Sequence, residues 1–568
     1  MEVKDSINAE HFRNEQLRSI LSDVNAKLPS HAKLSQEMIH IVNAKDGLFT
    51  SLPRSSKGTL QRGLALEKLQ SLIDGIYDAF EQGTAPTSHE KQDMHGEILL
   101  EWLQKTVSEI GGRQLSVNED LYAAGVDSIK AVRIRAAVHQ NINLGKFRLE
   151  QNAVYQYPTI QALAQYIDNR HEAKRNGENS VIEGIQNRNK NFDQLRWSGK
   201  EIDPNAPATV LLTGATGTLG SRILNNLLHD SKVEHIICSV RAKDEEEARS
   251  RVIASLKDRK LDVDHLEKKA SFVVQLDAQL PRLQQAKQSI VIHCAWIVNF
   301  SLQISSFESS CISPLASLLT LFSNCQHPFR FIFCSSLATV LAGPSPHKEE
   351  LSNDITHAGS TGYGQSKWVA EQVCASAANS ARSQNSQSQV VIARVGQLCG
   401  DSQNGIWNET EAWPLLVRTA NEVGCLPKSG PDLDWLRVDV AADAVVELGL
   451  KESRNSADTL QIAHVALPFA QQRPNWSNFI NWLNTSKMTN FQIVDNDVWI
   501  EKVRKAGGKI RGNALINIWQ NMPKNSEPAS VLTEKCEKVC PSLRKAIPVE
   551  QTLTDKFIDD WIARGFVH

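Results

Sequence analysis

ATVLLTGATGTLGSRILNNLL, residues 208–228, decides the fold of this 568-residue chain. A short apolar run ends at Gly214, a glycine-rich turn follows, and SRILNNLL then places apolar residues at helical spacing. Strand, turn and helix in that order are the context in which such a turn cradles a dinucleotide. Gly214 permits the tight turn, Gly217 lets the backbone approach a pyrophosphate, and Gly220 allows helix and strand to pack closely. Thr216, Thr218 and Leu219 complete the turn as candidate cofactor contacts.

Further apolar runs follow outward from this segment. HIICSVRA (235–242), SFVVQLDA (271–278), SIVIHCA (289–295) and FRFIFCSS (329–336) read as a second to a fifth strand. Strands alternating with helical patterns predict a doubly wound parallel α/β sheet of the Rossmann type. The end of the second strand selects the cofactor, because an acidic residue there holds a ribose hydroxyl and an arginine accommodates a 2′-phosphate. Arg241 stands at that point with Arg251 a few helical turns on, so NADPH is the expected cofactor. Asp277, at the end of the third run, is placed to touch the adenine or to cap a turn.

The chemistry lies further along. Ser336 ends the fifth run, and Tyr363-Gly364-Gln365-Ser366-Lys367 opens a helix 27 residues later. Tyrosine and lysine at i and i+4 share one helix face. The lysine charge, with a nicotinamide cation, is expected to lower the phenol pKa so that Tyr363 can give its proton to a carbonyl oxygen. Ser336 would hydrogen-bond the same oxygen as charge develops. This constellation resembles the extended short-chain dehydrogenase/reductases. The finer resemblance is to their thioester reductase branch, found in carboxylic acid reductases and reductive peptide synthetases. It is carried by His293-Cys294-Ala295-Trp296-Ile297-Val298-Asn299-Phe300, Ala393-Arg394-Val395-Gly396-Gln397 and Asp434-Trp435-Leu436-Arg437-Val438-Asp439-Val440. In that branch the last two stretches frame the substrate site. Trp296, Trp407 and Trp413 either line an acyl pocket or pack the core. ANSARSQNSQ, near residues 379–388, reads as a loop insertion.

Upstream, LYAAGVDSIKAVRIRAAV (121–138) breaks at Gly125 and then places Ile129, Val132, Ile134 and Val138 at roughly helical spacing. GEILLEWLQKTVSEI (96–110) precedes it and VYQYPTIQALAQYI (154–167) closes the unit. Gly125, Asp127 and Ser128 match the Gly-x-Asp-Ser signature of phosphopantetheine carrier proteins, which the segment resembles. The resemblance implies a four-helix acyl carrier domain with 4′-phosphopantetheine on Ser128, installed by a phosphopantetheinyl transferase. A phosphodiester at a positive helix end is also electrostatically favoured.

The first 82 residues resemble the small α+β C-terminal subdomain of adenylate-forming enzymes. That family's Gly-Lys-x-x-Arg pattern is altered here, since Thr59 follows Gly58 and Lys57 precedes it. The piece reads as a remnant, so the acyl group is expected from an acyl-activating or acyl-loading enzyme in trans.

Polar connectors at 82–94 and 173–208 then give a remnant (1–82), a carrier (92–172), a linker (173–207) and a reductase (208–568). The reductase divides near residue 395 into a Rossmann core and a substrate-binding part (396–568). The order of modules resembles fungal adenylate-forming reductases. Sixty-two basic and 64 acidic side chains leave a net charge of −2, so no basic field exists to hold nucleic acid or an anionic membrane. No apolar run approaches the ~18–20 residues of a membrane span, and the N-terminus carries no secretory h-region. Ten scattered cysteines suit reduced thiols in the cytoplasm. Cys536 and Cys540 have neither a second pair nor nearby histidines to make a zinc site, and no metal is expected.

The expected function is NADPH-dependent reductive release of a carrier-bound acyl thioester, from a small carboxylic acid, as an aldehyde or alcohol in secondary metabolism. The alternatives are a non-redox release or cyclisation domain, which in related terminal domains goes with loss of the tyrosine, and a non-catalytic carrier or docking remnant.

Overall fold

The computed structural model describes residues 96–126, 128–142, 153–168, 176–201, 205–276, 279–300, 302–450, 459–468, 473–486, 491–506 and 530–567, with a few isolated positions. The adenylation-like piece, Lys57 and Thr59 included, lies outside them but for Leu17 and Ile20. The chain forms two compact units, one reaching to Glu178 with Ser301–Ser306, the other made of Asn179–Phe300 and Phe307–His568.

In the first unit, helices α1 (Gly96–Gly111), α2 (Ser128–Asn141), α3 (Ala153–Gln156) and α4 (Ile160–Asp168) enclose one apolar core. Leu99, Leu103 and Val107 recur every fourth residue along α1 and are completely buried, which is how a helix presents one apolar stripe. The closing segment splits into α3 and α4 around Pro158, whose ring cannot continue a helix.

The second unit is built on a seven-stranded sheet: β1 (Ala208–Thr213), β2 (Val233–Ser239), β3 (Ala270–Val273), β4 (Gln288–His293), β5 (Phe329–Ser336), β6 (Gln389–Val395) and β7 (Leu460–Val465). The spatial order is β7-β6-β5-β4-β1-β2-β3 and every pairing is parallel. Helix α5 (Thr218–His229) follows β1, α6 (Glu245–Asp258) follows β2, α7 (Gly362–Ser383) precedes β6 and α8 (Val438–Leu450) packs beside α5. The order reverses between β1 and β4, and ligands of open parallel sheets bind at the carboxyl ends of strands flanking such a reversal. Gly214 and His293 sit there.

The remaining part holds a second core rich in aromatic rings, including Trp407, Trp435, Trp476, Trp499 and Trp561.

Several expectations change. The third strand stops at Val273, and Asp277 lies outside the described residues. Residues 379–383 are not a loop insertion but the last turn of α7, whose Ala377, Ala378 and Ala381 face the core. The stretch 173–207 is more than a linker. It contains the helix Asn176–Asn189 and buries Ile182, Ile185, Phe192 and Trp197. Trp197 Nε1 donates to Ser380 Oγ at 2.9 Å. A composition rich in Asn and Gly hides four apolar anchors, and burying them outweighs the solvation of their polar neighbours.

Candidate active site

The glycine turn is set by contact distances. Gly214 has φ +77°, and a Cβ there would meet the backbone nitrogen of Ala295 at 2.8 Å. A Cβ on Gly220 would fall 2.1 Å from the Gly214 carbonyl oxygen, so helix and strand touch as only glycine allows. Gly217 is exposed and caps α5 without any side-chain hydrogen bond. The first N–H groups of α5 are therefore not taken by a capping side chain, and a positive helix end free of such a cap fits a pyrophosphate. From behind, Ser255 Oγ on α6 donates to the Thr216 carbonyl at 3.0 Å. Thr218 and Leu219 form the first turn of α5, and Leu219 packs on the core. Beside the turn, Arg241 and Arg251 are both exposed past the end of β2, and Arg251 Nη1 donates to the Arg241 carbonyl oxygen. Two cations there fit a 2′-phosphate.

Across the reversal, Thr213 Oγ1 lies 2.8 Å from His293 Nδ1 and accepts the Ala295 N–H at 3.2 Å. His293 is buried, and burial with the nearby Lys367 charge pushes its pKa down to about 3. It is a neutral spacer that holds the end of β4, a role the sequence did not signal.

Ser336 is the last residue of β5, half-buried, and its Oγ accepts the Ala338 N–H at 3.2 Å. That bond leaves its proton for another acceptor, and Ser336 and Tyr363 are joined by a side-chain hydrogen bond. Tyr363 stands in the first turn of α7, where Thr361 caps the helix by accepting the Gly364 N–H at 3.2 Å. The Phe300 ring meets Tyr363 edge-on, with centroids 5.0 Å apart. One turn further, Lys367 is 3% exposed. Its Nζ donates to the Cys334 carbonyl at 2.6 Å and lies 4.2 Å from the centre of the Trp296 ring.

The electrostatics differ from expectation in one respect. Burial lowers the Lys367 pKa to about 8, against the opposing influence of Cys334, Cys311, Cys294 and Glu371. Tyr363 is shifted up, chiefly by burial, while its hydrogen bond to Ser336 pulls the other way. The expected lowering by Lys367 is not among the influences on Tyr363, and desolvation penalises a phenolate in an apolar wall. Tyr363 thus holds its proton at neutral pH.

Trp296 belongs to this wall, and its Nε1 donates to Ser366 Oγ at 3.1 Å. Trp407 and Trp413 do not. Trp407 packs on Trp435 and Phe557, and Trp413 on Trp435 and Trp476, within the second core. Arg394 is completely buried in an ion pair with Glu371, Arg394 Nη2 to Glu371 Oε2 being 2.7 Å, so it supports the site from beneath and does not line it. In the other unit, Gly125 has φ +87° and Ser128 is the first residue of α2. Asp127 lies outside the described residues.

Comparison with known proteins matches each module. A profile described as AMP-binding enzyme C-terminal domain matches residues 2–81, one described as phosphopantetheine attachment site matches 101–167, and one described as Male sterility protein, an NAD-binding family, matches 212–445. An adenylate-forming reductase of Heterobasidion annosum is 27% identical over 87% of this chain and 45% of its own length. One from Aspergillus terreus is 25% identical over the whole of this chain and 54% of its own. Along its length the chain is thus similar to proteins named adenylate-forming reductases. It spans about half the length of these curated relatives. In fold, the chain is similar to the terminal R domain of a myxalamid pathway, with a TM-score of 0.58 and 21% identity over 68% of this chain and 98% of that one. A thiolation-reductase di-domain of an archaeal peptide synthetase matches over 84% of this chain and 100% of its own, with a TM-score of 0.54 and 16% identity. Among the described residues, no helix is long and apolar enough to cross a membrane.

Proposed function

We propose that this chain releases an acyl group, held as a thioester on its own carrier, by NADPH-dependent reduction to an aldehyde. The observation that carries the reading is the meeting of Ser336, Tyr363 and buried Lys367 at strand ends beside an open glycine turn. Gly214, Gly217 and Gly220 with the start of α5 would hold the pyrophosphate, and Arg241 and Arg251 the 2′-phosphate. Bound there, NADPH would supply the hydride, and 4′-phosphopantetheine on Ser128 the thiol that carries the acyl group.

Tyr363, holding its proton because burial raises its pKa, delivers that proton to the carbonyl oxygen as the carbonyl carbon gains the hydride. Ser336 donates a hydrogen bond to the same oxygen and limits the charge that accumulates there. The Lys367 ammonium is held by the Cys334 carbonyl one helical turn from Tyr363, where a cation favours the charge left as the phenol gives up its proton. The carbon–sulfur bond then breaks as the oxygen gives its proton back through Tyr363 and the departing sulfur takes one up, so that the products are an aldehyde and the free carrier thiol. A carrier in the same chain raises the effective concentration of substrate, so weak intrinsic affinity suffices.

A phosphopantetheinyl transferase installs the arm, and an acyl-activating or acyl-loading enzyme fills it with a small carboxylic acid. All ten cysteines are free thiols, which supports a reducing, cytoplasmic setting. The test converts the protein to its phosphopantetheine form and loads acyl groups from synthetic coenzyme A thioesters. NADPH oxidation with aldehyde formation is the expected result. Loaded protein with Tyr363 intact that consumes no NADPH overturns the reading.

A further inference from the structure

Beneath the catalytic face lies a carboxylate that the reaction above does not use. Glu371 stands one turn after Lys367 and two after Tyr363 on α7, and it is completely buried. Its Oε1 accepts hydrogen bonds from Ser335 Oγ at 2.6 Å, from Thr339 Oγ1 at 3.0 Å and from Arg394 Nε at 3.0 Å. Its Oε2 takes Arg394 Nη2 at 2.7 Å. Arg394 comes from β6, and its Nη1 also reaches the Glu350 carbonyl at 3.0 Å and His464 Nε2 at 3.3 Å. Three elements, α7, β6 and the turn after β5, therefore converge on one carboxyl group.

The two hydroxyls bracket Ser336. Ser335 precedes it, and Thr339 lies three residues on, with Oγ1 also 2.9 Å from the Ser336 carbonyl oxygen. The single proton of Thr339 is thus shared between the Ser336 backbone and Glu371. Of the paired serines, Ser335 points to Glu371 and is 4% exposed, whereas Ser336 is left for Tyr363. Another tie between these elements, Lys367 Nζ to the Cys334 carbonyl, lies one residue before Ser335.

We propose that Glu371 is a positioning residue. Through Ser335 and Thr339 it locks the β5 turn to α7, so that the Ser336 hydroxyl and the Tyr363 phenol converge on one substrate oxygen. Arg394 neutralises the carboxylate, because a lone buried charge would not be tolerated. A hydroxyl donating to a carboxylate paired with arginine makes a charge-assisted bond, and the 2.6 Å bond from Ser335 is of the short, strong kind, with Thr339 adding a longer one. A displacement of about 1 Å between catalytic groups costs on the order of 10²-fold in rate.

The inference rests on the proposed reductase reading, and the test separates the two. Removing Glu371 itself would strand Arg394 and risk unfolding, so the decisive variant is Ser335→Ala with Thr339→Val, which leaves the ion pair whole. In the phosphopantetheinylated, acyl-loaded protein, kcat is expected to fall roughly 10- to 100-fold with the KM for NADPH within about twofold. Thr339→Ser alone, which keeps the hydroxyl, should restore most of the rate relative to Thr339→Val. A double variant that folds and turns over within twofold of wild type overturns the inference while leaving the reductase reading intact. Wild-type protein that consumes no NADPH overturns the reductase reading. The positioning role is then decided by NMR titration of carbon-labelled tyrosine, assigned with Tyr363→Phe. Loosening the bond from Ser336 should move the Tyr363 titration upward in the double variant, and superimposable curves refute the role.

Discussion

At the start of α2, a glycine at φ +87° turns the chain and Ser128 takes the first helical position. Everything the proposed attachment chemistry needs lies within four residues. At the start of α7, Tyr363 and Lys367 also stand one turn apart, yet their properties come from Ser336, Trp296 and Cys334, which β4 and β5 deliver from 27 to 67 residues away. In the proposed function, one helix start works as a local motif presented to a modifying enzyme. The other works only inside a wall that strips water from it. A carrier site is therefore sensitive to the identity of one side chain, and a reductase site to the burial of several.

Four changes probe that contrast, in order of expected effect. Ser128→Ala should abolish attachment altogether, so that incubation with a phosphopantetheinyl transferase gives no mass gain and self-loaded turnover is absent, while NADPH fluorescence still reports binding. Any mass gain in that variant would place the arm elsewhere. Tyr363→Phe should lower kcat by roughly 10²–10⁴, the span of general acid catalysis, with attachment on Ser128 complete by mass spectrometry. A loss below tenfold would assign the proton to another group. Arg241→Ala and Arg251→Ala should each raise the KM for NADPH about tenfold, as expected for one charge-assisted bond of ~1.5 kcal/mol, and leave NADH kinetics unmoved. Equal effects on both cofactors would remove these arginines from the 2′-phosphate.

The smallest effect is in pH. Lys367 is held near 8 by burial, so its ammonium is intact below that pH and lost above it. The rate should be flat near neutrality, fall about twofold around pH 8 and continue down. The mass-detected attachment on Ser128 should show no such limb when followed separately. A rate that stays level to pH 10 would mean that Lys367 keeps its charge despite its surroundings, and would return the site to the class of local motifs.

Much of this was legible in the chain. The glycine turn, the five strands from residue 208 to 336, the carrier helices and the positions of Ser336, Tyr363 and Lys367 all follow from patterns within a few residues of one another. The sixth and seventh strands escaped notice because QVVIARV and LQIAHV each carry two polar residues in a short run, Arg394 and His464 among them. The structure gives those residues partners. Arg394 pairs with Glu371, and His464 lies beside Arg394 with its Nδ1 at 2.8 Å from the Leu532 carbonyl oxygen. The segment 173–207 read as linker because four apolar side chains among many polar ones show no period.

What the sequence alone determined is the inventory: a serine at a helix start, a glycine-rich turn from strand to helix, and a tyrosine and lysine on one helix face. These depend on backbone conformation and spacing within one or two turns, which neighbouring residues dictate. Only the tertiary structure decided that Ser335 is held by Glu371, that Arg394 lies beneath the site, and that the Tyr363 pKa moves up and the Lys367 pKa down. Those outcomes depend on how much water a group loses and which charge lies opposite, and both are set by strands and helices distant in the chain.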